Sequence, residues 1–161
     1  MSWLSTTAWA QKHAHPTRNR YNARFSTSPR KLKMKLHNIP NQPYQTVTGY
    51  DENSVEINAI TFNHSLIVLP ELPPIAWPVN NFADLTEDHF KTIAAFHPDV
   101  VILGTGQKQH FAHPKLAACL INQRIGMECM DSQAACRTYN ILMTEGRKVA
   151  LALILEKGTN T

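Results

Sequence analysis

The chain has 161 residues, 43% hydrophobic and 17% charged, the size and balance of one globular domain that buries a core without a metal or a disulfide. The net charge of +4 hides an asymmetry: residues 1–50 carry eight Lys and Arg and no acid, whereas residues 51–161 carry eight bases and all twelve acids. The body is therefore mildly acidic and lacks the footprint of a nucleic-acid-binding surface, and no apolar run approaches the roughly 20 residues of a membrane-spanning helix.

Residues 1–33, rich in Arg, Ser, Thr and Asn, show neither helical nor strand periodicity and are expected to be disordered. Two origins fit this composition. Met34 opens "MKLHNIP", a sensible native start, in which case the protein is cytoplasmic. An acid-poor, Arg-rich leader is also the composition of a mitochondrial transit peptide. The expected organisation is this extension, one α/β domain over 34–157, and a short tail at 158–161.

The stretch "SVEINAITF" alternates Val55, Ile57 and Ala59 against Glu56, Asn58 and Ile60, which predicts a half-buried strand. Asn63 and His64 form a turn candidate before a returning strand, "SLIVLP". Pro70, Pro73 and Pro74 close this section, and "IAWPV" is a short extended piece. Thr86 before Glu87 and Asp88 predicts a helix N-cap, with the helix running to about Phe96. "DVVILGTG" is a continuous apolar strand, "HPKLAACLINQR" a helix with Pro114 in its first turn and Gly126 beyond its end, and "GMECM" a strand. "DSQAACRTYNILMTEG" is a helix with Asp131 as N-cap and Gly146 after its last turn, and "KVALALIL" a final strand. This alternation predicts a mainly parallel sheet with right-handed crossovers, made mixed by the preceding hairpin and by the last strand if that runs antiparallel.

The run "GTGQKQ" after an apolar strand resembles a phosphate loop, but its residues do not fit one. A dinucleotide fingerprint needs a third glycine where Gln109 stands, and no Walker spacing surrounds Lys108. Two glycines at a strand end can present N–H groups to an anion or a partner; they can equally form a tight turn. Gln133 and Arg137 share one side of the following helix, so Arg137 either clamps a carboxylate or phosphate or ties down a neighbouring loop. His110 and His113 make H-x-x-H without further ligands at metal spacing. The odd count of cysteines, Cys119, Cys129 and Cys136, points to buried thiols in a reducing compartment. Cys136 beside Arg137 is the candidate for a functional thiol. No Ser-His-Asp order or nucleophile elbow is present.

"WPV", "DVVILGTGQKQ", "RIGMECMDSQAACRTYN" and "ILMTEGRKVALALIL", in this order, resemble a small, largely uncharacterised α/β family. It includes the mitochondrial complex I assembly factor 3 and bacterial and archaeal hypothetical proteins. The resemblance runs from about Met34 to Leu155. It implies a three-layer α/β fold around a mixed central sheet, with a strand-rich N-terminal half and a β-α-β-α-β C-terminal half. It also implies a cleft-facing set at Gly104, Thr105, Gly106, Arg137, Tyr139 and Asn140, and it transfers no catalytic residue. With Gln107 and Gln133 added, these residues form the candidate ligand or partner cleft. The resulting expectation is a non-catalytic interaction or assembly protein with a protein partner and no cofactor, metal or nucleic acid. The alternative is a small-anion binder or enzyme that uses the Gly104–Gly106 turn and Arg137.

Overall fold

The computed structural model describes residues 44–156. The expected extension at 1–33 and tail at 158–161 lie outside them. In chain order the strands are β1 (Val47–Tyr50), β2 (Val55–Ile57), β3 (Ile60–Phe62), β4 (Leu66–Leu69) and β5 (Leu72–Ala76). A single 3-10 turn at Phe82–Asp84 leads to α1 (Glu87–Ala94), β6 (Val100–Gly104), α2 (Ala118–Asn122), β7 (Gly126–Met130), α3 (Ser132–Thr144) and β8 (Val149–Leu153).

The strands form two sheets, one of order β1-β2-β3 and one of order β5-β4-β8-β6-β7. In the larger sheet β6 runs parallel to β7 and β8, while β4 runs antiparallel to β5 and β8. The sheet is therefore mixed, with β4 alone running against the other four strands. The final strand is parallel to its β6 neighbour, because the α3 crossover returns the chain to the same end of the sheet.

The unbroken apolar run of β6 follows from its position, since Val100 to Gly104 are buried and lie between β7 and β8. A strand covered on both faces has no solvent side on which to alternate. On one face Ile67, Val101, Leu103, Ala150 and Ala152 pack on Phe90 and Ile93 of α1 and Leu120 of α2. On the other, Leu66, Val68, Val100, Ile102 and Leu151 meet Ala135, Tyr139 and Met143 of α3. Val47, Val55 and Ile57 of the small sheet join this second cluster. Helices α1 and α2, the large sheet, and α3 with the small sheet are thus the three layers expected from the resemblance.

Several local expectations are corrected. "SVEINAITF" is a hairpin instead of one strand, with Ile57 paired to Ile60 across the two-residue loop Asn58-Ala59. Both loop residues have positive φ, 49° and 66°, the geometry that lets a two-residue loop follow strand twist. Asn is a usual choice there, and Ala is not, so the turn carried no glycine signal. Asn63 and His64 instead link the two sheets. Pro73 and Pro74 lie within β5, which is tolerated because β5 is an edge strand.

The α2 helix is shorter than expected, five residues from Ala118, and Gly126 does not end it. Arg124 takes the left-handed position at φ 59°. Its N–H donates to Ile121 O at 3.0 Å, and the Ile125 N–H donates to Leu120 O at 2.9 Å. These two bonds are the Schellman closure, normally built on glycine. Gly126 is recruited into β7 opposite Val100, so the register of the sheet moves the cap two residues earlier. The caps at Thr86 and Asp131 stand as expected. The Thr86 N–H donates to His89 Nδ1 at 3.1 Å, and Asp131 Oδ1 accepts the Ala134 N–H at 2.9 Å.

Arg124 pays the steric cost of the left-handed region, about 1–2 kcal/mol for an L-residue. Glycine would remove it while adding about 0.5–1 kcal/mol of unfolded-state entropy. Arg124→Gly is therefore expected to stabilise the fold by about 0.5–1 kcal/mol, measured as a shift in urea midpoint at constant m. A lower midpoint would mean that the Arg124 side chain holds a contact that outweighs the strain.

Candidate functional site

The "GTG" turn is built by close packing. A Cβ on Gly104 would stand 2.6 Å from Leu153 Cδ1 and 3.1 Å from Ala135 Cβ, so this glycine lets α3 approach the end of β6. Thr105 is fully buried. Its hydroxyl donates to Lys108 O at 2.7 Å and accepts the His110 N–H at 2.9 Å, and its own N–H donates to Met130 O at 2.9 Å. Gly106 has φ 93°. Its N–H donates to Ser132 Oγ at 3.0 Å and its carbonyl accepts the Ser132 N–H at 2.8 Å. The N–H groups of Thr105 and Gly106 therefore have partners within the chain.

The structure brings Gly106, Gln107, Gln133 and Arg137 together. They line a cleft of about 420 Å³ with Asp51, Glu52, Asp131 and Ser132. Asp51 and Glu52 follow β1, 54 residues before Gly106 in the case of Glu52, a juxtaposition that no local motif announces. The Arg137 Nη1 donates to the Tyr50 hydroxyl at 3.2 Å, and both side chains are exposed. The Glu156 carboxylate carbon lies 3.5 Å from where a Gly106 Cβ would stand. Three carboxylates line the cleft and a fourth borders it, against the single guanidinium of Arg137. Like charge at this density repels an anion, so the surroundings of Arg137 do not favour a phosphate or carboxylate clamp.

The other expected members do not line the cleft. Tyr139 is fully buried, and its hydroxyl donates to Gln45 O at 2.8 Å; burial pushes the phenol pKa well above its ordinary value. Asn140 bonds both backbone groups of Val47 in β1: its Oδ1 accepts the Val47 N–H at 3.0 Å and its Nδ2 donates to Val47 O at 2.8 Å. These two residues hold the entry of the small sheet onto α3. Cys136, the candidate thiol, is 1% exposed. Burial pushes its pKa up to about 12, with Arg137 pulling weakly downward, so no thiolate forms near neutrality. The His110 ring stacks on Phe82 with centroids 5.0 Å apart, and His113 Nδ1 accepts the Lys115 N–H at 3.2 Å.

Asn140→Ala should leave the Val47 N–H and carbonyl without their side-chain partner at a half-buried site. The expected loss is about 1–3 kcal/mol, with amide exchange rising first at Val47 and its β2 partner Ile57. Uniform exchange acceleration over both sheets would show that the small sheet does not open separately.

Among curated proteins, the chain is 33% identical over 94 residues to NADH dehydrogenase (ubiquinone) 1 alpha subcomplex assembly factor 3 of Mus musculus. The match covers 57% of this chain and 50% of the mouse protein, so the chain spans about half the length of that relative. Among solved structures, a Bordetella parapertussis protein is 41% identical with a TM-score of 0.70, the match covering 73% of this chain and 100% of that one. A Bordetella pertussis protein described as a Mth938-like domain is 35% identical with a TM-score of 0.65, over 76% of this chain and 93% of that one. The shared fold and the family model matched over residues 47–154 place this chain in the family described as protein of unknown function (DUF498/DUF598).

Proposed function

We propose that this chain is a non-catalytic interaction protein that takes part in assembling respiratory complex I. The observation that carries this reading is the closed Gly106–Ser132 pair. The N–H and carbonyl of Gly106 are both taken by Ser132 of α3, which leaves a shaped surface in place of a reactive centre. The buried Cys136 and Tyr139, both held protonated, support it as well. The mouse relative's name supplies the process, and protein partners are what such a process requires.

The reading is tested in the source cells. Deleting the gene should lower the amount of assembled complex I on native gels and accumulate partial complexes, and the full chain should restore it. The Arg137→Lys variant should restore it equally, since an anion clamp is not part of the reading and the positive charge is kept. Normal complex I in the deletion strain would overturn the proposal.

A further inference from the structure

The end of the large sheet opposite the Gly104–Gly106 turn carries a second feature. There the β4–β5 turn, the segment after α1 and the end of α3 enclose a groove of about 340 Å³. Its apolar walls are Leu69, Leu72, Phe96 and Met143, and the exposed Arg147 and Lys148 also line it. Leu72 is 42% exposed, and Phe96 and neighbouring Tyr44 are each 37% exposed. Three of the eight large apolar side chains that the described residues leave exposed therefore converge on one groove. A groove with such apolar walls can bury one or two apolar side chains of a partner.

The charge of the lining runs against that of the body. Residues 44–156 hold twelve acids and seven Lys and Arg, yet the groove lining has two bases and a single acid, Glu71. The backbone of the basic pair is fixed. The Arg147 N–H donates to Leu142 O at 3.1 Å, and the Lys148 N–H to Asp99 Oδ2 at 3.3 Å. Both side chains are exposed and neither forms an ion pair among the described residues.

We infer that this groove anchors an acidic, amphipathic segment of a protein partner. One or two Leu- or Phe-sized side chains of the partner sit on Leu69, Leu72, Phe96 and Met143, and its Asp or Glu side chains meet Arg147 and Lys148. The inference rests on the interaction-protein reading and names the partner chemistry for it. Two copies of the chain placed groove to groove would oppose one basic pair with another, which disfavours self-association as the use of this surface.

The probe is a fluorescein-labelled synthetic peptide, acetyl-Glu-Asp-Leu-Glu-Phe-Leu-Asp-Glu-amide, titrated with the full chain and followed by anisotropy. Its control replaces every acid with Lys. The acidic peptide should bind saturably and move the amide resonances of Leu72, Met143 and Arg147. Phe96→Asp and the double variant Arg147→Glu, Lys148→Glu should each weaken binding by about tenfold or more, and added salt should weaken it too. Arg137→Glu, at the other end of the sheet, should leave it unchanged. If Phe96→Asp fails to fold, the charge-reversed double variant decides, because its side chains are exposed. Three results overturn the inference: no binding of the acidic peptide, equal binding of the Lys peptide, or self-association of the chain that Phe96→Asp abolishes. Loss of complex I on gene deletion together with any of these would keep the assembly role and remove this groove from it.

Discussion

The closed pair between Gly106 and Ser132 is the contact on which the rest of the molecule depends. Each residue gives its N–H to an oxygen of the other, at 3.0 and 2.8 Å. The pair joins the end of β6 to the first turn of α3. It forms because Gly104, two residues earlier, has no side chain to collide with Ala135 of that helix or with Leu153 of β8. With α3 seated, Tyr139 and Asn140 reach Gln45 and Val47 and draw the small sheet onto the second core. A single close approach thus propagates from the central strand to the outermost layer, and it occupies the N–H groups of Gly106 and Ser132.

This explains why the run "GTGQKQ" looks like a nucleotide loop in sequence and behaves otherwise in space. Phosphate loops leave successive N–H groups pointing into solvent at a helix N-terminus. Here Asp131 caps the helix through the Ala134 N–H, Ser132 occupies Gly106, and the surrounding cleft carries Asp51, Glu52 and Asp131. Helix α3 offers its dipole to its own carboxylate.

The C-terminal half was legible because its signals are local. The apolar run of β6, the caps at Thr86 and Asp131 and the glycine after α3 each lie within a few residues of what they determine. The N-terminal half was less so. The tight turn at Asn58-Ala59 uses an alanine at φ 66°, a choice no propensity favours, and β5 runs through two prolines that read as a break. Arg124, and not the expected Gly126, takes the left-handed position after α2, because the pairing of Gly126 with Val100 sets the register. The candidate cleft was half legible. Gly106, Gln107, Gln133 and Arg137 do share a wall, whereas Asp51 and Glu52 arrive from a distant hairpin. Tyr139 and Asn140 bond residues 94 and 93 positions away, which no spacing rule can foresee.

The pairing of Gly106 with Ser132 makes the Gly-x-Gly turn a structural lock. The most direct measurement is a nuclear magnetic resonance titration of the full chain with inorganic phosphate and then with AMP, following the Thr105, Gly106 and Ser132 amides. These three resonances should stay in place up to millimolar ligand, and their amides should exchange as slowly as those of β6. A saturable displacement of the Gly106 amide, abolished by Arg137→Glu, would contradict that expectation.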